Sequence, residues 1–167
     1  MSTSCAPSGS TLDDGTNRMS ADSSLLSQGY RSLNDLGRAA VQALNDTSAD
    51  ELAQLMVTEP EFRDVIFART PDSLKAGLPW NEAWLMNVSD SHLAIRRKLE
   101  SLGGQNLRFI RTFVGDSTAT TVFPGKTTYR NVIIVAEKPD DGQQIQFRFM
   151  NVVAMVGGRC KVVAFHK

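Results

Sequence analysis

The sequence is poor in the residues that usually announce a chemistry. Of its 167 residues only two are cysteine and two are histidine. Cys5 and Cys160 stand in no C-x-x-C or comparable spacing, so neither a disulfide framework nor a cysteine metal cage is expected. An excess of one charge is also missing. Eighteen acidic side chains balance eighteen basic ones, so no global field draws the chain to nucleic acid or to an anionic membrane, and nucleic acid is not an expected partner. The longest apolar runs, such as Val132 to Ala136 and Val152 to Val156, are far too short to span a bilayer. No Walker pattern, phosphate-binding glycine loop or metal-ligand cluster is present, and no cofactor is expected.

Residues 1 to about 30 are rich in Ser, Thr, Asp, Asn and Gly and hold few large apolar side chains. Such a segment buries too little surface to offset the entropy of ordering, so it is expected to be a disordered tail in front of one domain over 31–167. Small residues precede Cys5 and a polar linker follows it, which resembles the end of a bacterial lipoprotein signal. Two readings follow. With an apolar segment upstream of the given start, Cys5 is the lipidated first residue of an envelope or secreted protein, and the lipid is its only tie to a membrane. Without one, Cys5 is incidental and the chain is cytoplasmic.

From Ser32 the pattern becomes periodic. Leu33, Leu36, Ala40, Val41 and Leu44 line one face of a helix ending near Asn45. Ser48 with Glu51 has capping-box spacing, and Thr58, Pro60 and Glu61 open a third helix that stops before Pro71. The longest helix is expected from Trp80 to Leu102, ended by Gly103-Gly104. Beyond it the period falls to two, giving strands over Leu107–Val114, Tyr129–Ala136, Gln144–Val156 and Arg159–His166, with a short extra strand between Gly115 and Thr128 left open. Asp140-Asp141-Gly142 and Gly157-Gly158 are hairpin turns. Helices followed by an antiparallel meander define an α+β class: N-terminal helices packed on a four- to five-stranded, mainly antiparallel sheet.

This order of elements, with the ending Gly157-Gly158-Arg159-Cys160-Lys161-Val162-Val163-Ala164-Phe165, resembles the nuclear transport factor two-like superfamily. Glu61-Phe62, Pro79 to Trp84 and Leu99 to Gly104 are similar to secreted or lipid-anchored bacterial members. The resemblance implies a curved sheet wrapping a long helix into a cone with a pocket at its mouth. Cys160 departs from it, standing where an aromatic is frequent.

Fold alone does not select a function. Within the implied cone, Trp80 and Trp84 at the start of the long helix and Tyr129, Phe147, Phe149 and Asn151 at alternating strand positions are the expected lining of a ligand pocket, against the plainer reading that they are core. Arg111, expected on the strand face of Phe109 and Phe113, lies either on the open side of the sheet or in a cavity beside a partner. Arg96-Arg97-Lys98 spreads over about 300° of helix and is better explained by solvent than by phosphate. Two functions remain. One is a noncatalytic module binding a small ligand or protein, with a homodimer through the open sheet face as one arrangement. The other is an isomerase- or lyase-like enzyme using Asp64, Glu82 or His92 as an atypical acid or base.

Overall fold

The computed structural model describes residues 26–116 and 120–166, so Cys5 and the greater part of the expected tail lie outside the described residues. The folded part reaches further back than the expected boundary near residue 30. Leu26 is 2% exposed, and Tyr30 exchanges backbone hydrogen bonds with Cys160 at 3.0 and 2.7 Å.

Local signals fix the helices. Ser32 Oγ accepts from the Asp35 N–H to open α1 (Leu33–Asn45), and Ser48 Oγ accepts from the Glu51 N–H to open α2 (Ala49–Gln54). Thr58 and Glu61 form a complete capping box at α3 (Glu59–Glu61), which widens at once into a π-helical turn, Phe62–Phe67. The long helix α4 spans Trp80–Leu102. Its end is close-packed, for a Cβ on Gly103 would stand 2.5 Å from Leu99 O.

Five antiparallel strands follow: β1 (Arg108–Val114), β2 (Thr120–Phe123), β3 (Lys126–Glu137), β4 (Gln144–Val156) and β5 (Arg159–Phe165). The order is β1-β3-β4-β5, and β2 pairs with the first part of β3, on the stretch that β1 leaves free. The fold is therefore α+β, helices on an antiparallel sheet.

Register shifts change which residues face the core. Phe109 pairs with Ala136 and Arg111 with Val135, so Ile110 is an extra residue. This overturns the expectation that Phe109, Arg111 and Phe113 share a face. Phe109 packs against the main core, whereas Arg111 is exposed with its guanidinium 5.3 Å from the Phe113 ring. Val132 pairs with Met150 and Ile133 with Arg148, leaving Phe149 extra on β4.

Two apolar clusters result. In the larger, α1, α2 and the second half of α4 pack on Val132, Ile134, Phe149, Val153 and Val162. In the smaller, Phe62, Val65, Ile66 and Trp84 pack on Ala154, Val156 and Val163, which alternate with the first set and so belong to the opposite face. Helical segments thus cover both faces at the β4–β5 end, with α4 passing the edge of β5. Along that edge Asn87 Nδ2 donates to Val163 O at 2.6 Å, Phe165 N–H donates to Ser91 Oγ at 3.2 Å, and Val57 N–H donates to Val162 O at 2.8 Å. These bonds occupy an edge that would otherwise be open to another strand.

Candidate functional site

The structure distributes the expected pocket residues over several places. Phe149 is fully buried and stacks on Phe165 at 4.4 Å, and Phe147 is half-buried. Lys98 Nζ lies 5.6 Å from the Phe147 ring centroid and 6.0 Å from that of Phe149, and burial lowers its pKa. Tyr129 packs against the same cluster, with its hydroxyl 3.9 Å from Met155 Sδ. Trp84 belongs to the other cluster, tilted against Phe62 at 5.2 Å. Trp80 is half-buried under Arg63, 5.5 Å from its ring, and Asn151 is exposed. The indoles and the strand aromatics therefore do not meet across one cavity. The reason lies in α4, whose first turns lean on one face of the sheet and whose later turns lean on the other.

What the sequence reading missed is a furrow along α4. One part, about 570 Å³, lies between α2 and α4, with Ala49, Ala53, Ile95 and Leu99 among its apolar lining and Asp50, Arg96 and Glu100 among its charged lining. A second part, about 430 Å³, is bounded by Met56, Val57, Trp84 and Val88. Ala53 and His92 border both. Ala53 has a small side chain and is half-buried, and His92 is exposed. Helical spacing put Ile95 and Leu99 on the apolar side of α4, but their lateral opening depends on how α2 crosses, which no local pattern carries.

Lys161 also borders the second part, and it forms a buried ion pair with Glu61: Nζ lies 2.9 Å from Oε2 and 3.2 Å from Oε1. Thr58 N–H and Ser27 Oγ donate to the same carboxylate at 2.7 and 3.2 Å. Burial pushes the Glu61 carboxyl up, but the hydrogen bonds from Lys161 and Thr58 and the charge of Lys161 outweigh it, and the net shift is downward. An anchored carboxylate of this kind is a poor proton acceptor.

Of the three side chains considered as acid or base, Asp64 is exposed and held by Arg63 at 2.7 Å, and Glu82 is exposed on the first turns of α4. Only His92 borders the furrow. Cys160 is buried and unbonded to another cysteine, and burial, with the nearby charge of Asp35, raises its thiol to about 11, so it packs as a small apolar side chain. Among the described residues no group of His, Cys, Asp and Glu is arranged to hold a metal ion. No protein-family model matches the chain, and neither a curated protein nor a solved structure matches it.

Proposed function

We propose that the protein is a small-ligand-binding module, not an enzyme, and that its ligand is an amphipathic molecule lying along α4. One observation carries this reading: two openings of about 570 and 430 Å³ have Ala53 and His92 in common, and both mix aliphatic walls with a few polar groups. Sites for small molecules have this size and this mixture. Arg96 and His92 suit an anionic or hydrogen-bonding end, while Ile95, Leu99 and Val88 suit a hydrocarbon or aromatic body. Asp50 and Glu100 share the first part with His92 and Arg96, and this mixed charge gives an amphipathic ligand polar anchors at one end of an aliphatic wall.

The test uses 8-anilinonaphthalene-1-sulfonate as a probe. Its fluorescence should rise on titration, with quenching or shift of the indole emission from Trp84, which borders the second part. Ala53→Phe fills the junction and should abolish the response while leaving the thermal midpoint within a few degrees. An unchanged response in that variant would end the assignment.

The nuclear transport factor two-like scaffold is part of the same proposal, supported by the run of helices before a meander. So is attachment to a bacterial envelope through Cys5. Mass spectrometry of the native protein should then find an acylated Cys5 as the first residue, and an unmodified Met1 would exclude it.

A further inference from the structure

Two lysines are buried equally, Lys126 and Lys161 each 4% exposed, yet their surroundings differ. Lys161 meets the carboxylate of Glu61. Lys126, the first residue of β3, donates to Ile66 O at 3.0 Å and to Thr70 Oγ1 at 3.2 Å, and its Nζ lies 4.8 Å from the Phe123 ring. A carbonyl, a hydroxyl and a ring face share the positive charge without neutralising it. Buried charges are ordinarily paired, and an ammonium kept this way favours an anion brought from outside.

A pocket of about 180 Å³ opens beside this ammonium, between the π-helical turn and the β2–β3 hairpin. Strand alternation puts Lys126, Thr128 and Arg130 on one face of β3, and all three line it. Ile66, Val152 and Val163 give it an apolar wall, Thr70 and Thr121 add hydroxyls, and no acidic side chain is among its described lining residues. We infer that this pocket binds a short-chain carboxylate, with the anionic head at Lys126 and Thr128 and the hydrocarbon tail against Ile66, Val152 and Val163. Arg130, exposed on β3, adds positive charge at the mouth and draws the anion in. Taking about 30 Å³ per water, the volume equals about six waters and suits an acid of about five carbons.

This chemistry separates a binding site from a mere brace. As a brace, Lys126 holds the end of the π-helical turn to the hairpin through Ile66 O and needs no ligand. As a binding site, it makes affinity depend on its own charge. Burial, then the neighbouring charge of Arg69, lowers its pKa to about 8. The charged groups facing it are Arg69, beyond the π-helical turn, and Arg130 on β3. The ammonium is therefore the group that titrates between pH 7 and 9, and carboxylate affinity should fall about tenfold over that interval.

The experiment is titration of the full chain with acetate, butyrate, hexanoate and inorganic phosphate, followed by calorimetry and by amide chemical shifts. Butyrate should move Thr128, Val152 and Val163, bind about tenfold more weakly at pH 9 than at pH 7, and bind more tightly than acetate by about fourfold for each added methylene. Lys126→Met should abolish binding. Because that change also removes the brace and risks unfolding, Thr128→Val, which keeps side-chain volume, is the second variant and should weaken butyrate at least threefold. Phosphate binding as tightly as butyrate, no gain from acetate to butyrate, no change in affinity with pH, or full affinity in either folded variant would overturn the assignment. The furrow along α4 lies elsewhere on the molecule, so Ala53→Phe should leave butyrate binding intact.

Discussion

Lys161 Nζ lies 2.9 Å from Glu61 Oε2, with the two side chains 5% and 8% exposed, and the pair ties the start of the π-helical turn to β5. Three donors make four hydrogen bonds to the carboxylate: the Lys161 ammonium, the Thr58 backbone N–H and the Ser27 hydroxyl. Removing one partner leaves a buried charge without its counter-ion, which costs about 3–5 kcal/mol. Glu61→Gln should therefore lower the chemical-denaturation midpoint strongly. Replacing both residues, Glu61→Gln with Lys161→Met, should recover at least half of the loss, because desolvation of the ammonium then disappears. A double variant no more stable than Glu61→Gln would mean that the pair is worth more than the burial it requires.

The same pair sets a pH dependence. Glu61 has its folded-state pKa below its ordinary value of 4.5. Its contribution is complete above the unfolded-state value and is lost as pH falls through the lower folded value. Thermal midpoints should fall between about pH 5 and pH 3. Glu61→Gln should flatten that part of the profile relative to the parent chain, and equal slopes would remove Glu61 from the account.

Much of the helical layout was legible because its causes are local. Ser48 and Thr58 each accept from a backbone N–H three residues on, as their spacing suggested, Ser32 does the same at the start of α1, and α4 begins at Trp80 and ends at Leu102 between Pro79 and Gly103. The strand faces were less legible. An extra residue at Ile110 reverses the alternation, so Arg111 turns away from the face of Phe109. The sites were least legible of all. Ala53 and His92 become neighbours of one furrow through helix crossing, and Lys126 meets Ile66 and Thr70 across sixty and fifty-six residues of chain. Periodicity reports one element at a time, and these sites exist only between elements.

Gly37 tests the close approach of α1 to β1. A Cβ built there would collide with Thr112 Oγ1 and stand 3.1 Å from Phe109 Cε2. In an exposed helix interior Gly→Ala gains about 1 kcal/mol, but here overpacking should win and cost about 1–3 kcal/mol. Thr112→Ala in the same chain should restore most of that. Thr112→Val alone should be neutral or stabilising, since Thr112 Oγ1 is buried without a hydrogen-bond partner among the described residues. Denaturation midpoints of the three variants decide the matter, and a stabilised Gly37→Ala would show that the two elements separate freely.

Ser91 offers a cleaner test of how the β5 edge is held. Its side chain is fully buried, and its Oγ accepts from the Phe165 N–H at 3.2 Å. Ser91→Ala keeps the packing and removes the acceptor, so about 1–3 kcal/mol should be lost. Amide exchange of Phe165 should accelerate, while that of Val162, which donates to Leu55 O at 2.9 Å, should change only by the loss in global stability. Equal acceleration at both amides would mean that the edge opens as a unit.

Cys160 turns the folding of the β5 hairpin into a chemical signal. It is fully buried, its N–H donates to Tyr30 O at 2.7 Å, and its thiol is raised to about 11 by burial and then by Asp35. A thiol reacts as the thiolate, and at pH 8 in the folded chain that form is scarce and shielded. In a Cys5→Ser background, modification by 5,5′-dithiobis(2-nitrobenzoic acid) should therefore require opening of the segment around Tyr30 or of the whole domain. If local opening suffices, truncation of residues 1–30 should raise the rate by at least an order of magnitude, because Tyr30 and buried Leu26 leave with them. If global unfolding is required, the rate should track the denaturation midpoint across the Glu61 and Ser91 variants. Immediate modification in the folded parent would contradict the burial of Cys160 itself.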